Sequence, residues 1–327
     1  MRYPATEKLE IIRLVEQSHL PAKQTLDLLG IPRSTFYLWY DKYQTGGVDA
    51  LEDKVSRPNT VWNRIPDPVR EEVVELALDE PELSPREVAV RFTDTKSYFV
   101  SESSVYRLLN ARNLITSPAY ITIKAANEFK DKTTAPNQLW QTDFTYLKVI
   151  GWGWFYLSTV LDDYSRYIIA WKLCTNMAAS DVTDTLELAL QASGCDQLPD
   201  HHHKPRLLSD NGPGYIAGEL ADWLENNGMD HVRGAPYHPQ TQGKIERWHQ
   251  TLKNRILLEN YHLPGDLKGN IGKFVDYYNN HRYHESLQNL TPADVYFGRG
   301  QSILRTRERI KHNTIKQRRL QYRNHAA

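Results

Sequence analysis

Three acidic side chains stand in settings that could do chemistry together. Asp143 lies inside "LWQTDFTYLKVI", an aromatic and β-branched run that reads as a strand, and aspartate is depleted from strands. Asp210 closes the short apolar stretch "RLLSD" ahead of "NGPG", at the carboxyl end of a strand, where α/β sheets place their ligand sites. Glu246 lies in "GKIERWHQTLKN", which has the period of an amphipathic helix. Taken singly, each has an ordinary reading: an ion pair or edge position for Asp143, an Asp-Asn-Gly turn for Asp210, a solvated helix charge for Glu246. Asp162 and Asp163 in "VLDDYSR" compete with them and read first as a hairpin turn.

Together, two aspartates on neighbouring strands and a glutamate on a helix across their ends would form an open set of hard oxygen ligands. Carboxylates that close repel one another unless a cation neutralises them, and oxygen-only donors select Mg2+ or Mn2+ over zinc. Two such ions, about 3.5 to 4 Å apart, can clamp a phosphodiester and stabilise both the attacking and the leaving oxygen. The reaction class that follows is phosphoryl transfer on nucleic acid.

The elements that must hold these acids are legible in outline. Strand alternation puts Trp140, Thr142, Phe144 and Tyr146 on one face and Gln141, Asp143 and Thr145 on the other. "GWFYLSTVLDD" and "RYIIAWKLCT" read as two further strands, followed by a helix over 179–193, strand "RLLSD", helix "YIAGELADWLENN", short strand "DHVRG" and the helix of Glu246. A meander followed by alternating helices and strands indicates a mixed sheet flanked by helices. Along the Glu246 helix, Ile245, Trp248, Leu252 and Ile256 fall at about 200° to 280° from the glutamate, an apolar stripe for packing on the sheet. His249, Gln250 and Lys253 fall within about 60° of Glu246 and are expected to share its polar face, with Lys253 holding a phosphate of the substrate strand. Gly243 marks a loop expected to move as a substrate enters.

Upstream, residues 1–60 read as three helices with short joints. Leu9, Ile12, Leu14 and Val15 recur near helical spacing; "PAKQTLDLLG" opens on proline and closes on glycine; "IPRSTFYLWYDKYQTGG" ends at Gly46-Gly47. This is the helix-turn-helix pattern, with Phe36, Trp39 and Tyr40 inward and Arg33, Ser34, Thr35 and Lys42 available to DNA. A second such unit is expected over 61–114, with Ser84 as a helix cap and Ser103, Ser104 and Tyr106 placed like recognition-helix residues. Residues 115–134 read as a linker, 135–297 as the α/β core and 298–327 as a tail.

The net charge of +0 conceals an uneven distribution: residues 135–297 carry 13 Lys/Arg against 19 Asp/Glu, whereas 298–327 carry nine against one. Such a tail is a polyanion contact or a disordered solubilising segment; Arg318 and Arg319 are its DNA candidates, and order is expected only on DNA. No apolar stretch approaches the roughly 18 residues of a membrane helix. Cys174 and Cys195 suit a reducing compartment as buried fillers, and His201, His202 and His203 read as a solvated loop. A cytoplasmic, nucleoid-associated protein is expected.

Residues 135–297 resemble the catalytic core shared by retroviral integrases and bacterial insertion-sequence transposases of the DDE type. The resemblance rests on "WQTDFTY", "LLSDNGPGY", "HPQTQGKIERWHQTLK" and "YNNHRYHESLQNLTPADVYFGR", and on the 35 residues, 211–245, between the second and third acids. It implies a ribonuclease H-like mixed five-stranded sheet, catalytic and metal-ligating roles for Asp143, Asp210 and Glu246, two Mg2+ or Mn2+ ions, and contact between Lys253 and DNA. It further implies metal-dependent cleavage and strand transfer on double-stranded DNA, at element ends recognised by the helix-turn-helix units and on target DNA, by a homo-oligomer. No His/Cys zinc module precedes the core, which favours the bacterial transposases over viral integrases. The alternatives are a DNA-binding regulator retaining an inactive core, and a nuclease without joining activity.

Overall fold

The computed structural model describes residues 3–52, 61–115, 133–197, 204–233 and 243–326. The expectations for His201–His203, for most of the linker and for the loop before Gly243 lie outside them. Residues fall into two compact units, 1–64 and 65–327. The division lies four residues beyond position 60 because Ile65 packs into the core of the second helical unit.

In the first unit, α1 (Ala5–Gln17), α2 (Ala22–Leu28) and α3 (Arg33–Gly46) enclose Ile11, Ile12, Leu26, Phe36 and Trp39. Of the apolar residues near helical spacing in α1, Ile12 is buried, with Ile11 beside it, while Leu14 is 51% exposed. The second unit opens with α4 (Asp67–Asp79), α5 (Pro85–Lys96) and α6 (Glu102–Ala111) around Val73, Val88, Phe92, Val105 and Leu109. Ser84 caps α5 in a reciprocal capping box with Glu87, satisfying two otherwise orphaned donors.

The α/β core is a mixed five-stranded sheet of order β3-β2-β1-β4-β5. β1 (Leu139–Val149), β2 (Gly153–Asp162) and β3 (Ile168–Cys174) form an antiparallel meander; β4 (Arg206–Ser209) and β5 (His231–Arg233) continue parallel to β1. One face buries Trp140, Val160 and Leu207 against α7 (Ala179–Ser193), α8 (Pro213–Ile216) and α9 (Gly218–Asn226). The other buries Leu147, Leu157 and Leu161 against α10 (Gly243–Ile256) and α11 (Pro264–Asn280). This is the ribonuclease H-like arrangement expected, with helices on both faces because the strands are apolar on both.

The short helix α12 (Pro292–Tyr296) leads into α13 (Gly300–Ala326), which corrects the expectation of a tail ordered only on DNA. Local pairing offsets the charge that suggested disorder. Arg307 donates to both carboxylate oxygens of Asp94 and to the Asn289 carbonyl, and Thr314 accepts from the Phe99 amide. Arg318, expected to meet DNA, is 5% exposed and donates to the Tyr98 hydroxyl and the Phe99 carbonyl. Its cation is consumed by the protein.

Candidate active site

β1 and β4 are parallel neighbours, with Trp140 beside Leu207 and Gln141 beside Leu208. The ladder ends there, but the same register continued two residues points Asp143 towards Asp210, which lies near enough to feel its charge. The Asp210 carboxylate closes its own turn by accepting from the Gly212 amide at 2.9 Å, and a Cβ at Gly212 would lie 3.1 Å from that oxygen. Burial raises the pKa of Asp210, the Gly212 amide opposes the rise, and the Asp143 carboxylate adds to it. Glu246, on the first turn of α10, is raised by desolvation and then by Asp143, with His249 opposing. Asp143 is therefore the charge that both other acids feel. Strand register fixes one pair; the seating of α10 on the sheet fixes the other.

A hard divalent cation suits this donor set: three carboxylates, two of them held above their ordinary range partly by the third, lose that repulsion when a cation is shared. As they stand, no three His, Cys, Asp or Glu side chains among the described residues enclose an ion site. Glu246 is exposed on the first turn of α10. Beneath the aspartates, the Tyr215 ring packs 5.9 Å from Phe144 with its hydroxyl fully buried, and burial, with Asp143 and Asp210 adding, pushes that hydroxyl well up.

The apolar stripe of α10 packs as its period requires. Trp248 and Leu252 are 1% and 0% exposed, and Trp248 stacks on Phe274 and meets Tyr278 edge-on. His249 departs from expectation: it is 6% exposed, and its Nδ1 lies 3.4 Å from Asp143 Oδ2 instead of sharing the solvated face. A helical position about 60° from Glu246 is polar or buried according to what faces it, and here β1 does.

Asp163 is a further residue that sequence reasoning left in a turn. Its carboxylate accepts from Gln141 Nε2 at 2.8 Å and pairs with Lys244 Nζ at 2.7 Å, while Lys244 also donates to the Asp163 carbonyl. Gln141 Oε1 accepts from the Ile245 amide at 3.1 Å. The first turn of α10, with Glu246 on it, is thus tied to β1 two residues from Asp143. Gln141 shares the Asp143 face in "WQTDF", and that alternation was the available signal. Asp162 is a buried turn acceptor for Asn137 and Ser165, raised by burial.

Lys253 Nζ sits 4.1 Å from the centre of the Tyr146 ring, half-buried on the face away from the Trp248 stripe. In the first unit Arg33, Ser34 and Lys42 are exposed and Thr35 half-buried, with Phe36 and Trp39 inward as expected. In the second helical unit Ser103 is exposed, whereas the Ser104 hydroxyl is engaged with Ser101 at the cap of α6. Arg319 is exposed and Arg318 is not.

Family models match this sheet to an integrase core domain. Integrase core domain models match residues 133–239 and 227–292; a helix-turn-helix model matches 7–59 and a homeodomain-like model 35–109. The integrase core models thus match the sheet region, and the helix-turn-helix and homeodomain-like models match the helical region ahead of it. It is 28% identical over 167 residues to the transposase for insertion sequence element IS904 of Lactococcus lactis, covering 50% of this chain and 62% of that protein. It is 37% identical over 122 residues to the Gag-Pro-Pol polyprotein of squirrel monkey retrovirus, covering 37% of this chain and 6% of the polyprotein. The chain thus spans under two thirds of these relatives. The HTLV-2 integrase catalytic core, solved with magnesium, aligns at 20% identity and a TM-score of 0.40 over 50% of this chain and 97% of that one. The simian T-cell lymphotropic virus intasome aligns at 18% identity and a TM-score of 0.43, over 68% of this chain and 74% of that one.

Proposed function

We propose that the protein is a DNA transposase that binds the terminal inverted repeats of a mobile element and catalyses metal-dependent strand cleavage and strand transfer. The observation that carries this reading is the placing of Asp143 as the shared electrostatic neighbour of Asp210 and Glu246, in an integrase core joined to helix-turn-helix domains. Asp143, Asp210 and Glu246 would hold Mg2+ or Mn2+, as two ions, and the metal would supply Lewis-acid stabilisation of developing charge and activation of an attacking oxygen.

The chain's own residues do the rest. Gln141, Asp163 and Lys244 hold the glutamate's helix turn to the strand of Asp143, which limits how far the Glu246 carboxylate must move to join the two aspartates. His249 orients the Asp143 carboxylate. Lys253, which Tyr146 holds in place, gives a phosphate of the bound strand a charge partner. Arg33, Ser34, Thr35 and Lys42 present the sequence-reading helix to a groove, and Ser103 and Arg319 add contacts from the second unit. Two element ends must be joined to one target, which calls for more than one copy of the chain on DNA. Among the described residues no helix is long and apolar enough to cross a membrane.

The test is incubation with a labelled duplex carrying the element's terminal repeat and Mg2+. Nicked and then lengthened products are expected from the wild type and neither from Asp143→Asn. Equal behaviour of the two proteins removes the catalytic assignment and leaves a DNA-binding regulator with an inert core; cleavage with no lengthened product leaves a nuclease.

A further inference from the structure

The basic residues of α13 divide into two faces. Arg307, Thr314 and Arg318 point at Asp94, Asn289, Tyr98 and Phe99, and Lys311 lies over the Phe99 ring at 5.9 Å. Measured from Arg305 at 100° per residue, these four fall at about 180° to 240°. Arg309, Lys316, Arg319 and Arg323 instead fall within about 40° of Arg305, on the opposite side. All five are exposed, as is His312 among them. The spacing 305, 309, 312, 316, 319, 323 makes a straight cationic stripe about 27 Å long, and Glu308, the helix's one acid, is paired off with Lys311.

We infer that this outer stripe is a binding track for the phosphate backbone of duplex DNA, and that the inner face of α13 is its mount. Duplex DNA carries one charge per about 1.7 Å of axis, so a row of cations of this length lies in a strong negative field over its whole span. A row of like charges kept rigid, on a domain whose sheet core carries 13 basic against 19 acidic residues, has a matching partner in a polyanion of regular spacing. Phosphate contacts carry no sequence information, so a track of this kind binds all sequences alike. The inference rests on the transposase reading for its choice of DNA, and it assigns the contact to Arg305, Arg309, Lys316 and Arg323, not to the buried Arg318.

The experiment uses the full chain and a fluorescent duplex of random sequence, with affinity followed across a salt series. The triple variant Arg309→Gln, Lys316→Gln, Arg323→Gln should keep the wild-type melting temperature and lower the slope of log K against log salt by about 2 to 3, from 0.9 per lost contact. Its charge-preserving counterpart, Arg309→Lys, Lys316→Arg, Arg323→Lys, should keep the wild-type slope. An unchanged slope in the triple variant overturns the track, as does a loss confined to polyglutamate or phosphatidylserine vesicles measured in parallel. If the wild type binds and nicks repeat-bearing duplex while the slope stays unchanged, only the track fails; if the wild type binds no duplex at all, both readings fail.

Discussion

The Nδ1 atom of His249 lies 3.4 Å from Oδ2 of Asp143, joining the buried side of α10 to the acid that both Asp210 and Glu246 feel. The contact is long for a strong hydrogen bond, and the carboxylate's other oxygen accepts from the Phe144 amide at 2.8 Å. The Phe144 amide holds one oxygen of the Asp143 carboxyl group, and the buried His249 ring lies against the other. Partners of this kind, behind a metal-binding carboxylate, cost about 10- to 100-fold in metal affinity or activity when removed. His249→Leu should therefore raise the Mg2+ concentration needed for half-maximal cleavage by at least about tenfold while a metal-free melt changes little. His249→Asn, which keeps a donor, should recover part of the loss. An unaltered Mg2+ dependence in the leucine variant would show that His249 only fills space.

Repulsion within the acid set makes a prediction about pH. Asp210 and Glu246 are both raised in the folded protein, so the native state binds protons more readily than the unfolded chain. Their contribution to stability is present below the ordinary carboxylate range, near pH 4, and is lost as pH rises through their raised values. Asp143→Asn removes the charge they share. Without divalent metal the variant should melt higher than the wild type at neutral pH, with the gap closing towards pH 4. Adding Mg2+ should stabilise the wild type and leave the variant almost unmoved, since only the former gains a bound ion. Parallel melts of the two proteins in chelator and in Mg2+ decide it.

Lys244 and Asp163 anchor the first turn of α10. Asp163 is 7% exposed, so Lys244→Met leaves a buried carboxylate with Gln141 and Thr133 as its remaining donors. Breaking one side of such a pair typically costs about 3 kcal/mol or more when fully buried, and about half that is expected here because the lysine is a third exposed. Cleavage should fall further than stability, because Glu246 loses its fixed turn. A double-mutant cycle with Asp163→Asn measures the coupling, and additive effects would remove the anchor.

Arg318 gives the structural counterpart to the outer stripe of α13. Replacing it with methionine leaves the Phe99 carbonyl and the Tyr98 hydroxyl without their guanidinium donor. A loss of about 1 to 3 kcal/mol is expected for such a partly buried charged hydrogen-bond group. Chemical denaturation should register that loss, while the salt dependence of DNA binding stays at the wild-type slope. A reduced slope in Arg318→Met would return this residue to the DNA contacts.

Much of the site could be read from the chain because it depends on local rules. Aspartate within an aromatic strand, Asp-Asn-Gly after an apolar strand, and a glutamate bordering a helical stripe of Ile245, Trp248, Leu252 and Ile256 are matters of period and propensity, and the structure retains all of them. The mixed sheet and the inward Phe36 and Trp39 of the first helical unit are equally local in origin.

Tertiary packing alone decided the partners. A helical period assigns His249 an angle, but only the approach of β1 turns that angle into a buried contact with Asp143. Asp163 reads as a turn residue until Lys244 and Gln141, 81 and 22 positions away, converge on it. The nine cations after position 298 sum to a basic tail in any one-dimensional count. Whether each faces solvent or, like Arg318, an aromatic hydroxyl and a carbonyl 219 positions earlier depends on which surface the helix lies against. Charge and period are properties of the chain; screening and burial are properties of its neighbours in space.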